Sequence, residues 1–236
     1  FPVLKAIFEK IYGECPYKSP TDMGVNMAGY CITNDEAVCY ASKMEIVRRY
    51  YDVLCRKRNG LADANEVYEL ELIMNQVGVD TGFRKVVKPA LKKAEETGAP
   101  AAAIELPDGS IVTGKTSLLM GASAAALLNA LKRLGDINDS FLLLPRVVME
   151  PLQRLKVENL GNHNPRLHAD EVLIALAISA TTNPMAALAM EQLPKLKGCE
   201  AHITVIVSNV DRDIYRKLGL NLTCESNYAT KKLYHK

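Results

Sequence analysis

The sequence predicts a mixed α/β protein, with an N-terminal helical subdomain over residues 1–98 followed by a three-layer α/β/α subdomain over residues 99–236. The first part carries apolar side chains at helical spacing. After Gly98-Ala99-Pro100 the pattern changes, and short apolar runs alternate with longer helical stretches. Such runs are typical of buried strands between helices. A chain of 236 residues, 48% of them apolar, is long enough to bury a core of this kind.

In the first part, helices are predicted over residues 1–12, 35–58, 63–77 and 81–97. The second helix has the clearest ends. Asn34 or Asp35 can cap its start, and the basic run Arg56-Lys57-Arg58 suits its C-terminal dipole. Pro89 is expected to interrupt or kink the last helix.

In the second part, strands are predicted in the segments AAAIEL, SIVTG, FLLL, HITVIVS and NLTCE. Helices are predicted over residues 119–134, 146–158, 165–180, 184–193 and 211–218. This alternation is the pattern on which the α/β/α prediction depends.

Composition argues against several classes of partner. The formal net charge is only +2, and aromatic residues are 6% with no Trp, so neither a charged surface for nucleic acid nor a base-stacking platform is indicated. The apolar runs are shorter than a membrane span. Six cysteines without a C-x-x-C pair favour reduced thiols in a cytoplasmic protein. The chain begins at Phe1 directly in a helical pattern, so we expect a piece of a longer protein.

Residues 109–116 match the P-loop pattern G-x-x-x-x-G-K-[ST]. A P-loop needs small, flexible residues between its glycines, because its backbone N–H groups wrap around phosphates. Here Ile111, Val112 and Thr113 are β-branched and stiff, while Pro107-Asp108-Gly109 is typical of a turn. We therefore interpret the segment AIELPDGSIVTG as a β-hairpin and not as a nucleotide loop.

The junction after this hairpin is still a candidate for anion binding. Lys115, Thr116 and Ser117 stand just before a predicted helix, and a helix N-terminus attracts anions. The alternative is a structural cap by Thr116, Ser117 or Ser123 with Lys115 on the surface.

The polar cluster NHNPRLHADE at residues 162–171 is the best site candidate in the sequence. Asn164 followed by Pro165 predicts a helix start. The next nine residues, VLIALAISA, predict a helix buried on every side, whose polar first turn then needs partners or a ligand.

Three interpretations of this cluster stay open. It can hold a phosphate or carboxylate and perform acid–base chemistry, with His163, His168, Asp170 and Glu171 as catalytic candidates. Ligand contacts would then come from Asn162, Asn164 and Arg166. It can instead be a structural hydrogen-bond network, or His163, His168 and Glu171 can ligate a metal, although no dedicated spacing such as H-E-x-x-H is present.

The segment YKSPTDMGVNMAG at residues 17–29 is a second candidate. Ser19 before Pro20 signals a helix start, where an anion can bind the first N–H groups with Lys18 beside it. The polar residues around this start are Thr21, Asp22 and Asn26. A plain capped turn is the alternative interpretation.

Several long segments resemble the bacterial family known as domain of unknown function 1846. They are YKSPTDMGVNMAGYCI, LPDGSIVTGKTS, LGNHNPRLHADEVLIALAISA, QLPKLKGCEAH and NLTCESNYATKKLYHK. The resemblance implies that the chain is the C-terminal half of a longer protein, with a helical part followed by an α/β/α part related in topology to cytidine deaminases. Zinc deaminases need H-x-E and P-C-x-x-C. Here His168-Ala169-Asp170 has Asp in place of Glu, and the downstream segment PKLKGCE supplies one thiol, Cys199, instead of two.

The resemblance leaves activity open. Some family members are labelled ATP-dependent peptidases, but this chain has no G-x-S-x-G nucleophile elbow or triad-like signature. We expect either part of an enzyme that binds a phosphorylated or nucleotide-like anion, or a non-catalytic folding and assembly module. The expected partners are the protein's own N-terminal half, a small anionic ligand and further copies of the chain. The sequence does not identify a cofactor.

Overall fold

The computed structural model describes residues 2–16 and 34–229. The second site candidate, with Lys18, Ser19, Thr21, Asp22 and Asn26, lies outside the described residues. The helices of the described part are α1 (Pro2–Tyr12), α2 (Asp35–Arg58), α3 (Ala64–Val77), α4 (Val87–Thr97), α5 (Ala122–Leu134), α6 (Arg146–Arg154), α7 (Ala169–Ala180), α8 (Pro184–Glu191) and α9 (Asn209–Lys217). The strands are β1 (Ala101–Glu105), β2 (Ile111–Lys115), β3 (Glu200–Ile203) and β4 (Asn221–Cys224).

The four strands form one mixed sheet in the order β2-β1-β3-β4. Strand β1 pairs antiparallel with both β2 and β3, whereas β3 and β4 are parallel. Because successive side chains point to opposite faces, Ala102 and Ile104 of β1 join the main core with α5, while Ala103 packs with Val86 and Ala90 near α4. Helices therefore cover both faces, and the predicted mixed α/β class is confirmed.

The segment that matched the P-loop pattern is a hairpin, as predicted. Gly109 adopts a φ of 79° in the turn, and its N–H donates to the carbonyl of Leu106 at 2.9 Å. The second glycine, Gly114, lies within β2, where α5 packs directly against the strand. A Cβ at this position would be 2.2 Å from the backbone nitrogen of Ala126, so only glycine fits. The glycine spacing follows from packing and not from phosphate binding.

The predicted strand HITVIVS ends at Ile203, and the helix predicted over residues 81–97 begins at Val87. Four other predictions about single elements were also wrong. The segment FLLL at 141–144 is not a strand. Its Leu143 and Leu144 are buried, but the backbone is irregular. Pro89 falls in the first turn of α4, where it removes no intrahelical bond, so it causes no kink. Helix α7 begins at Ala169 and not at Pro165, because the Asn164 side chain accepts from the N–H of Arg166 at 3.1 Å and closes a local turn.

The last of these four predictions concerns the burial of α7. Its side chains Val172, Ala175 and Leu176 are buried, but Ile174 is 57% and Ile178 50% exposed. The helix packs on the core along one face only. Because almost every residue of this segment is apolar, the sequence gives no periodic contrast from which the exposed face could be recognised.

A buried arginine joins the first helices to the sheet. Arg84 follows the short 3-10 turn Thr81–Phe83 and is completely inaccessible to solvent. Its guanidinium donates to the carboxylate of Glu200, to the hydroxyl of Thr223 and to the carbonyls of Ala201 and Asn221. The Glu200 carboxylate also accepts from Arg48 of α2 at 2.9 Å. One ion-pair network thus connects α2, β3 and β4.

Candidate functional site

A cavity of about 340 Å³ lies where the N-termini of α5, α7 and α9 approach one another. The first residues of α5 and the start of α7 contribute to its lining. The chain between β3 and α9 adds the apolar side chains Val205, Ile206 and Val207. Polar and apolar side chains therefore line the same space.

Helix α5 contributes an uncapped N-terminus to this cavity. Its N-cap residue is Gly121, and no side chain accepts a hydrogen bond from its first turn. None of the predicted caps Thr116, Ser117 and Ser123 accepts a hydrogen bond from this first turn. Ser117 instead accepts from the N–H groups of Leu119 and Met120 within its own turn. The first N–H groups of a helix carry partial positive charge, so this end of the cavity favours an anion.

His168 reaches the cavity from the N-cap position of α7, and Asp211 of α9 orients its ring. Its Nδ1 lies 3.4 Å from the Asp211 carboxylate and 3.4 Å from the hydroxyl of Ser208. The other Asp211 oxygen accepts from the N–H of Ala169 at 2.8 Å, which holds the carboxylate in place. In the described part of the chain His168 Nε2 has no partner.

The pKa shifts of His168 and Asp211 favour the same charge state of the pair. The hydrogen bond to Asp211 raises the pKa of His168 above its usual value, although burial and the nearby Lys156 act in the opposite direction. Burial alone would raise the pKa of Asp211, but its bonds to His168 and to the N–H of Ala169 lower it. The pair therefore favours an imidazolium beside a carboxylate.

Arg166 is the second cation at the cavity, and hydrogen bonds to its side chain and backbone fix its orientation. Its Nε donates to the carbonyl of Ser117 at 2.9 Å, and its backbone is held by Asn164, which also lines the cavity. Within the ranges 2–16 and 34–229 the two Nη groups have no partner. A guanidinium held in this way presents a planar fork, the geometry that binds phosphate and carboxylate groups.

Comparison with known proteins identifies the family. Residues 82–234 match the family model "Domain of unknown function DUF1846, C-terminal", and residues 1–78 match "Domain of unknown function DUF1846, N-terminal". The chain belongs to the DUF1846 family. It is 54% identical over its whole length to the "UPF0371 protein" of Streptococcus pneumoniae strain JJA and to that of S. pneumoniae serotype 19F strain G54. In each comparison it covers 48% of the relative, so the chain spans about half their length.

This DUF1846 chain also contains a buried lysine near the site that the sequence reasoning missed. Lys156 is only 4% exposed and donates to the carbonyl of Arg166 and to the carboxylate of Glu171, each at 2.7 Å. Glu171 accepts in addition from the N–H of His168 at 2.7 Å. Glu171, a catalytic candidate in the sequence, is thus bound to a lysine and a helix end. Because Lys156 lies outside the cluster, ten residues before Arg166, no local motif signals this contact.

The other candidate residues of the DUF1846 chain are divided by the fold. Asn164, Arg166, His168 and Thr116 line the cavity. Asn162 and His163 are exposed in the preceding loop, and Lys115 is exposed at the end of β2. Asp170 lies in the first turn of α7, where one buried carboxylate oxygen lacks a hydrogen bond. None of the last four residues lines the cavity.

The described residues of this DUF1846 chain contain neither a membrane-spanning helix nor a metal-binding cluster. No helix in them is long and apolar enough to cross a membrane. Over the same part of the chain, no three His, Cys, Asp or Glu side chains come together in a way that could hold a metal ion.

Proposed function

We propose that this chain forms part of an enzyme that binds a small anionic ligand, phosphorylated or nucleotide-like, in the cavity between α5, α7 and α9. One observation carries the proposal. Arg166 and His168 are both held from behind, by Ser117 and Asp211, so that their remaining N–H groups are free beside the uncapped end of α5. In a preformed ligand site, the protein fixes the side-chain rotamers but leaves some of their hydrogen-bond donors for the ligand.

The two cations would have different roles. The Arg166 guanidinium would bind two oxygens of the anion, and the N-terminus of α5 would add partial positive charge. His168 would donate a hydrogen bond from Nε2 while protonated, and the same proton could pass to a leaving group as general acid. Asp211 would be a positioning residue that orients the His168 ring.

The apolar part of the cavity lining favours a ligand with an apolar part. Val205, Ile206 and Val207 offer no side-chain hydrogen bond, and neither do Pro100 and Ile203. We therefore expect an anionic head group at Arg166 and a flat or aliphatic body against these apolar side chains. The predicted relation to the cytidine deaminase topology remains part of the proposal, but without zinc chemistry, since the sequence lacks the H-x-E and P-C-x-x-C ligands.

A non-catalytic assembly module is the second candidate, favoured by the apolar face of α7. The exposed side chains Ile174 and Ile178 would be covered by another copy of the chain or by the rest of a full-length protein. Under this candidate the polar groups at the cavity are structural. Anions would then raise the Tm only by their general stabilising effect on proteins.

Thermal unfolding of the full-length protein with sulfate separates the two candidates. Sulfate is suitable because its charge is constant near neutral pH. At about ten times Kd we expect it to raise the Tm of the wild type by about 3–6 °C. The substitutions Arg166→Gln and His168→Gln each remove a charge-assisted hydrogen bond, so we expect the affinity to fall by roughly 10–100-fold.

His163→Gln and Lys115→Gln are matched controls, because both residues belong to the same candidate segments but lie outside the cavity. Both should keep the wild-type sulfate shift. The comparison between variants is necessary since sulfate also stabilises proteins non-specifically. Equal shifts in all five proteins would refute the anion site, provided that the Arg166 and His168 variants fold without sulfate.

A further inference from the structure

A second chemically distinctive pair, at α2 and β4, does not line the ligand cavity. Cys55 of α2 and Cys224 of β4 are both buried, and their sulfur atoms are 3.6 Å apart. The Cys55 thiol is also 3.3 Å from the carbonyl oxygen of Cys224. The two residues are separated by 169 positions in the sequence, so the fold alone brings them together.

A small cavity gives access to this pair. It has a volume of about 90 Å³ and is lined by both cysteines together with Arg48, Asp52 and Arg212. One water molecule occupies about 30 Å³ in the liquid, so the space admits hydrogen peroxide but excludes a glutathione molecule. The two arginines give it a positive lining that favours a thiolate.

The surroundings of the two sulfur atoms differ in a way that assigns their roles. A hydrogen bond from Cys55 lowers the pKa of the Cys224 thiol, and the N–H of Val207 and the charge of Arg212 act in the same direction against burial. The pKa of Cys55 is raised, chiefly by its contact with Cys224 and by burial. The Cys55 thiol also donates to the carbonyl oxygen of Cys224 and so keeps its proton, which assigns Cys224 as the nucleophile and Cys55 as the resolving thiol.

We propose that Cys55 and Cys224 form a dithiol that a small hydroperoxide, entering through this cavity, oxidises to a disulfide. The Cys224 thiolate attacks one oxygen of hydrogen peroxide, the O–O bond breaks, and the departing hydroxide takes a proton to become water. Cys55 then attacks the resulting sulfenic sulfur, the S–S bond forms, and the S–O oxygen leaves as a second water with the Cys55 proton. Two thiols are oxidised, and one peroxide is reduced to two waters.

The geometry requires little movement for this reaction. The sulfur atoms must approach from 3.6 Å to about 2.05 Å, a change that side-chain rotation and a small shift of α2 can supply. Cys55 lies in the part matched by the N-terminal family model and Cys224 in the part matched by the C-terminal one. The disulfide would therefore join the two family domains covalently.

Peptide mapping of the full-length protein after treatment with hydrogen peroxide tests the proposal. We expect a linked Cys55–Cys224 peptide under non-reducing conditions, loss of two thiols in a titration of the denatured protein, and recovery of both with dithiothreitol. The oxidised protein should melt about 5–10 °C higher than the reduced one, because the bond closes a long loop.

The remaining cysteines supply the controls. Cys199→Ser should leave the linked peptide unchanged, since the Cys199 thiol is hydrogen-bonded to the carbonyl of Lys195 and not to either cysteine of the pair. Cys224→Ser should abolish it and leave Cys55 as a thiol. Because the wild-type map needs no variant, a folding defect in Cys224→Ser would not obscure the answer. Oxidation confined to the exposed Cys39, or a Cys224 sulfinic acid without a link, would overturn the proposal.

Discussion

Replacing Arg84 with methionine is expected to lower the free energy of unfolding by about 3–5 kcal/mol. The guanidinium is fully buried, and burial lowers its pKa although Glu200 acts in the opposite direction. Its removal leaves Arg48 as the cation paired with Glu200, and takes one hydrogen-bond donor from the hydroxyl of Thr223 and from the carbonyls of Ala201 and Asn221. Methionine fills a similar volume, so the loss measures hydrogen bonds and charge and not a cavity.

Urea unfolding measures this loss as a lower midpoint at an unchanged m-value. Arg49→Met is the matched control, because Arg49 lies on the exposed face of α2 and its pair with Glu45 at 3.0 Å is open to solvent. Exposed pairs contribute about 0–1 kcal/mol, so the control should unfold close to the wild type. An Arg84 variant as stable as the Arg49 variant would show that the network does not hold α2 to the sheet.

Replacing Asp211 is expected to have the next largest effect, on both stability and ligand binding. Asp211→Ala removes the acceptor of the buried Ala169 N–H and the partner of His168, so we expect a loss of about 2–4 kcal/mol. Asp211→Asn keeps an oxygen for Ala169 and removes only the negative charge. It should therefore cost about 1 kcal/mol, within reach of a second urea measurement.

The same pair of variants tests how His168 is protonated. Asp211 raises the pKa of His168, so the bound sulfate should be retained to higher pH in the wild type than without that carboxylate. Sulfate affinity should fall as pH rises through the His168 pKa, because the imidazolium loses its proton. In Asp211→Asn this fall should occur at lower pH, whereas at acidic pH the affinity should equal or exceed that of the wild type. An unchanged midpoint would exclude Asp211 as the positioning residue.

Local chemistry explains which elements could be predicted from the sequence. The hairpin was predicted because Pro107-Asp108-Gly109 specifies a turn within a few residues. Helix α2 was predicted from Asp35 to Arg58 because Asn34 caps it, and its side chain accepts from the N–H of Ala37 at 2.9 Å. Asn164 is a similar cap signal, but its side chain closes an isolated turn. The helix start predicted there was therefore wrong.

The candidate site shows the limit of local signals. The cluster at 162–171 pointed to Arg166 and His168, which do line the cavity. Their partners lie outside the cluster, Asp211 in α9 and Lys156 in the π-helical turn Leu155–Asn159. Whether a polar side chain faces a cavity or an internal partner depends on such non-local contacts. His168 lines the cavity, whereas Glu171, three residues later, accepts from Lys156. Only the structure could show this difference.

The position of an anion in crystals of the full-length protein tests the central claim most directly. Tungstate is a tetrahedral dianion with strong anomalous scattering, so its site can be located without assuming the ligand. We expect a peak in the cavity within hydrogen-bond distance of Arg166 Nη and His168 Nε2, facing the N-terminus of α5, and no such peak in Arg166→Gln crystals. A cavity without tungstate in the wild type, with both cations turned to solvent or bound to protein groups, would contradict the account.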